Sequence, residues 1–69
     1  MQEKIIKSLR ILSVGKSYWT LTVGDKYSNL KIEKIIQEDD NKFVVCLENG
    51  DDIYVISNNV MIYRELVNN

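Results

Sequence analysis

From residue 18 onward, apolar and polar positions alternate with period two, broken at short intervals by clusters of Gly, Asn and Asp. That is the pattern of half-buried strands joined by tight turns. Trp19, Leu21 and Val23 fall on one side of the first such segment, with Tyr18, Thr20 and Thr22 on the other. Gly24-Asp25 ends it and leads into a loop to Asn29. Leu30 to Gln37 is a second strand whose alternation carries an error, because Leu30, Ile32 and Ile36 share a face with Lys34 while Ile35 points away. A β-bulge near Glu33-Lys34 turns Ile35 onto the core side and releases the lysine.

Phe43 to Leu47 and Ile53 to Ile56 form a hairpin around Glu48-Asn49-Gly50. A two-residue Asn49-Gly50 turn pairs Val45 with Tyr54 and Leu47 with Asp52, mixing apolar and charged residues on one face. A three-residue loop with Gly50 in the left-handed position pairs Val45 with Ile53 and Phe43 with Val55 instead. It gathers Phe43, Val45, Leu47, Ile53 and Val55 on one side, and this register is expected. Ser57-Asn58-Asn59 is a turn, short enough for one 3₁₀ turn. Val60 to Tyr63 is a last short strand, with Leu66 and Val67 placed to cap the core.

The N-terminal segment differs. Residues 3 to 13 place Ile5, Leu9 and Leu12 at i, i+4, i+7 with Ile6 beside them, and Lys4, Lys7 and Arg10 largely on other faces, which predicts a short amphipathic helix stopped by Gly15. The alternative is a strand, since LRILSV also alternates with Leu9 and Ile11 on one side and Leu12 and Val14 on the other. No repeat, low-complexity tract or linker divides the chain, so one domain is expected over residues 1–69, with a helix or arm at 1–15 and a β-barrel at 18–67.

This order resembles an SH3-like barrel, and within that class the Tudor-like variant. The stretch KIEKIIQEDDNKFVVCLENGDDIYVISNNVMIY is similar to its bent strand, acidic turn, hairpin and closing strand. The likeness covers about residues 19 to 63. It implies a mainly β fold, a small five-stranded antiparallel barrel, here preceded by the short N-terminal α-helix. Tudor domains capture methylated Lys or Arg in a cage of aromatic residues. The resemblance makes Tyr18, Trp19, Tyr27, Tyr54 and Tyr63 the cage candidates here, none of them within a matching motif.

Composition narrows the chemistry. At 69 residues only one core can form, and a fold this small leans on disulfides, metals, packing or association. The single cysteine, Cys46, cannot close an internal disulfide, and the absence of histidine removes zinc patterns of paired Cys and His and nucleophile pairs built on His. Cys46 lies mid-strand between apolar residues, where a small packed thiol is expected. The carboxylate pairs Asp39-Asp40 and Asp51-Asp52 sit in successive turns at opposite ends of a meander and match no calcium-loop spacing. The three glycines stand apart, so there is no phosphate loop. No catalytic residue, metal or cofactor is assigned, and a non-enzymatic binding protein is expected.

No apolar run reaches the ~20 residues of a membrane span, and the N-terminus lacks the apolar segment of a secretory signal. A cytoplasmic location without membrane contact is expected. The richness in Ile, Lys and Asn, with no Ala or Pro, points to an AT-rich genome such as that of a bacterium or its phage. A small phage or mobile-element protein that inhibits a host system by occupancy fits that profile. The net charge of −1 argues against general nucleic-acid affinity. Residues 1–24 nevertheless carry Lys4, Lys7, Arg10 and Lys16 against Glu3 alone, a candidate basic patch for a Tudor-, Sm- or KOW-type nucleic-acid binder.

The more informative surplus is apolar. With the core side of the hairpin assigned, its other face shows Val44, Cys46, Tyr54 and Ile56, which must be covered by the N-terminal helix or by a partner. These four, with Tyr18 and Tyr27, are the candidate partner-binding residues. A protein partner or self-association into a homo-oligomer is the leading expectation, and Trp19 is expected as a packing centre of the core. The second is a sequestering protein that holds a nucleotide or small molecule between subunits.

Overall fold

The computed structural model describes residues 2–12 and 18–68, with the side chains of Gln2, Tyr18 and Asn68 outside that description. Seven strands run in chain order: β1 (Gln2–Leu12), β2 (Tyr18–Thr22), β3 (Lys26–Tyr27), β4 (Leu30–Asp39), β5 (Lys42–Leu47), β6 (Asp52–Ile56) and β7 (Val60–Asn68). They form two antiparallel sheets, one ordered β2-β1-β7 and the other β3-β4-β5-β6. The mainly β expectation holds. The five-stranded closed barrel does not form, because the edge strands of the two sheets do not pair with each other among the described residues.

The N-terminal helix is replaced by β1, and a bulge explains why the two patterns look alike. Pairing of β1 with β7 is regular up to Ile6↔Arg64 and resumes at Ser8↔Tyr63, leaving Lys7 as the extra residue. The slip reverses side-chain parity, so Ile6 and Leu9 both reach the core at a spacing of three. Leu9 is fully buried, whereas Ile5 and Leu12, which a helix would place on Leu9's face, are exposed. The expected stop at Gly15 lies outside the described residues.

The bulge expected in β4 is present, between Ile32 and Lys34. It buries Ile32 and Ile35 together and turns Ile36 outward. The β5–β6 hairpin has the expected register, Phe43↔Val55 and Val45↔Ile53. Gly50 adopts φ 92°, its N–H donates to the Leu47 carbonyl at 3.0 Å, and the Leu47 N–H donates to the Asp51 carbonyl at 2.8 Å. Ser28 and Asn29 both have positive φ and close a tight β3–β4 turn.

The core lies between the sheets. Ile6, Leu9 and Leu21 come from the first, and Ile32, Ile35, Phe43, Val45, Leu47 and Val55 from the second. Burial of these side chains drives the sheets together at roughly 1.5–3 kcal/mol each before chain entropy is counted. Two further expectations are corrected. The last strand continues from Tyr63 to Asn68 along β1, so Leu66 sits exposed opposite Lys4 rather than capping the core. Residues 58–59 form a bend without a 3₁₀ turn, in which the Asn59 N–H donates to Ser57 Oγ.

Candidate functional site

Trp19 marks the site because it is not where the sequence places it. Its parity on β2 matches that of buried Leu21, yet it is 68 % exposed. The cause is topological. β2 is an edge strand with β1 on one side only, and no strand closes over its other side among the described residues. β6 is likewise the edge of the second sheet. An apolar groove of 230 Å³ lies where these two edges approach without pairing, floored by Ile11, Leu21 and Val55 and walled by Trp19, Tyr27, Tyr54 and Ile56.

The outer face of the second sheet runs into this seam. Ladder pairing aligns Ile36, Val44 and Tyr54 in one row and Lys34, Cys46 and Asp52 in the next. Val44 is buried within the single chain, without a helix above it among the described residues. Its cross-strand neighbours Ile36 and Tyr54 flank it, and Lys42, adjacent to that row, holds its ammonium 5.5 Å from the Tyr54 ring centroid and 3.5 Å from Glu38 Oε1. An alkyl stem laid along a sheet covers apolar surface while its charge stays in water. Tyr54 and Ile56 remain 60 % and 69 % exposed.

Of the six expected partner-binding residues, Tyr27, Tyr54 and Ile56 converge on the seam. Val44 and half-buried Cys46 lie inward of them on the same outer face, and the Tyr18 side chain lies outside the described residues. Trp19 belongs with the first three, although the sequence assigned it to the core. The signal that marks it is its place at the start of an edge strand.

The basic candidates are dispersed. Lys4 lines a 440 Å³ groove between β1 and β4, Lys7 lines another beside Gly24 and Lys31, and Arg10 lies on the outer face of the first sheet with Thr20, Met61 and Tyr63. Lys16 lies outside the described residues. Arg64 donates to Gln37 Oε1 at 2.9 Å, tying β7 to β4 across the seam opposite the aromatic one.

Burial pushes the Cys46 thiol above its ordinary pKa. A hydrogen bond to the Asp52 carboxylate, its cross-strand neighbour, and repulsion between that carboxylate and a thiolate add to the shift. The shift disfavours the thiolate, which is the nucleophilic form. The acidic pairs serve their turns: Asp39 Oδ1 accepts from the Asp40 N–H, and Asp51 exchanges hydrogen bonds with Asn49. Among the described residues no three His, Cys, Asp or Glu side chains come together as metal ligands, and no helix is long and apolar enough to cross a membrane. Comparison with protein-family profiles, curated proteins and solved structures returns no match.

Proposed function

We propose that this chain is a non-enzymatic protein-binding module whose contact surface is the aromatic seam between β2 and β6. One observation carries the proposal: three exposed aromatic residues and Ile56 surround an apolar groove bordered by two strand edges that are unpaired among the described residues. Clustered Trp and Tyr over an apolar floor are the residue types that anchor protein contacts, because each buries a large area at small entropic cost. Unpaired edges add backbone donors and acceptors that only another polypeptide satisfies in series. The raised pKa of the half-buried Cys46 thiol and the turn-bound carboxylates favour occupancy over chemistry as the mode of action. The separation of Lys4, Lys7 and Arg10 among three grooves favours a protein over a nucleic acid as partner.

The test is site-specific photocrosslinking in the cells that encode the protein. A photoreactive phenylalanine analogue is placed at Tyr27, at Ile56 or, as comparison, at Asp40 in the β4–β5 turn. Polypeptide adducts from positions 27 and 56 but not from 40 are expected. Absence of adducts at both seam positions overturns the proposal.

A further inference from the structure

We infer that the seam is filled by a second copy of this chain, through antiparallel pairing of β6 with the partner's β6. The inference rests on the seam being a protein contact surface and names its occupant.

The backbone supplies the first argument. Hydrogen bonds in an antiparallel ladder alternate sides along each strand. The Leu47 N–H donates to the Asp51 carbonyl and the Ser57 N–H to the Asn41 carbonyl, so Asp51, Ile53, Val55 and Ser57 turn toward β5. Asp52, Tyr54 and Ile56 therefore present their N–H and C=O groups at the free edge. Proteins blunt such edges with lysine, proline, bulges or brevity. Two of the other edges show such features, since β3 has two residues and carries Lys26 and β7 carries the charged Arg64 and Glu65, while β2 has two threonines among its five residues where β6 has an apolar run. From Ile53 to Ile56, β6 is apolar throughout and regularly paired.

Register follows from side-chain parity. Two copies related by a two-fold axis present the same surface to each other, and antiparallel neighbours must keep like faces together. Centring the axis on Tyr54 sets Asp52 against the partner's Ile56, and centring it on Ile53 sets Asp52 against the partner's Tyr54. Centring it on Val55 sets Tyr54 against the partner's Ile56 on the outer face, twice by symmetry, and leaves Asp52 beyond the apolar pairs. The Val55-centred register extends the row Ile36, Val44, Tyr54 into the second copy.

Area agrees with a weak, specific dimer. Trp19, Tyr27, Tyr54 and Ile56 are 68 %, 42 %, 60 % and 69 % exposed. At about 150–250 Å² for a whole side chain of this size, these four offer roughly 360–600 Å² per copy and roughly 700–1,200 Å² per pair. Stable interfaces begin near 1,200 Å², so the β6 backbone must contribute area to the contact as well. A net charge of −1 per copy opposes association little.

The test is sedimentation equilibrium of the purified full chain from 1 to 500 μM, with amide hydrogen exchange at both ends of the range. A concentration-dependent shift from one 8.1 kDa chain to two is expected. Exchange at Tyr54 and Ile56 should slow at least tenfold in the dimer, while Ile53 and Val55 are protected throughout. Ile56→Pro removes a donor that β5 does not use, and it should weaken association at least tenfold while retaining the strand-rich circular dichroism spectrum. If that variant fails to fold, Tyr54→Glu, at an exposed side chain, should give the same loss. A wild-type monomer at 500 μM, or a folded Tyr54→Glu dimer of undiminished affinity, overturns the inference. A monomer that still crosslinks in cells from positions 27 and 56 to a different polypeptide leaves the broader function standing and removes only the second copy.

Discussion

Alanine substitution along β1 separates the bulged strand from the helix that the same residues imitate. In the structure, Leu9 is 0 % and Ile6 8 % exposed, whereas Ile5 and Leu12 are 37 % and 41 % exposed. Leu9→Ala removes a side chain wedged between Leu21 and Ile62, its partners in the two flanking strands. Loss of burial and the residual cavity together cost about 3 kcal/mol or more. Ile6→Ala should cost about 2–3 kcal/mol, and Ile5→Ala and Leu12→Ala about 1 kcal/mol each, since much of each side chain already meets water. A chain of this size has a total stability of roughly 3–10 kcal/mol, so Leu9→Ala consumes a large part of it. The assay is urea unfolding followed by far-ultraviolet circular dichroism, at one low protein concentration so that association does not contribute. With a slope near 1 kcal/mol/M, the Leu9→Ala midpoint should fall by about 3 M, and Ile5→Ala by about 1 M. A helix orders the costs differently, with Ile5, Leu9 and Leu12 together and Ile6 less. Ile5→Ala and Leu12→Ala as damaging as Leu9→Ala would refute the bulge at Lys7.

Four further outcomes follow from the same geometry. Trp19 in dilute protein should emit close to free indole and be quenched readily by acrylamide, and a blue-shifted, protected emission at low concentration would contradict its place on an open edge. Gly50→Ala should cost about 1–2 kcal/mol in urea unfolding, because φ 92° strains any side chain although nothing lies within 4 Å to clash with a methyl group. The raised Cys46 pKa means that the unfolded chain loses the thiol proton at lower pH than the folded one. Its contribution is complete below the ordinary thiol pKa and is lost as pH rises through the folded value. Unfolding midpoints of the wild type should therefore fall more steeply than those of Cys46→Ala on alkaline titration. Asp52→Asn should speed alkylation of the thiol near pH 8, and an unchanged rate would remove Asp52 as a cause.

Alternation and turn chemistry sufficed for much of the second sheet. The bulge near Glu33-Lys34 was legible because a lysine fell among core isoleucines, and a strand can correct that by inserting one residue. The β5–β6 register was legible because only one loop length keeps Asp52 out of the apolar face. At β1 the same device had the opposite effect. Its extra residue, Lys7, is itself polar, so the slip showed no misplaced charge, and a spacing of three between Ile6 and Leu9 belongs equally to a helix turn and to a bulged strand. Only pairing on both sides of β1, with β2 next along the chain and with β7 from its far end, decided between them.

Burial of particular side chains had the same dependence. Periodicity assigned Trp19 to the face of Leu21 and Leu66 to the end of the core, and neither assignment included where the neighbouring strand stops. The sequence by itself determined a small, mainly β chain with apolar residues on both faces of one hairpin and no histidine for catalysis or zinc binding. Tertiary structure alone decided that, among the described residues, the two sheets stay open between β2 and β6, because an unpaired edge is a relation between strands far apart in the chain. That opening brings Trp19, Tyr27, Tyr54 and Ile56 around one groove.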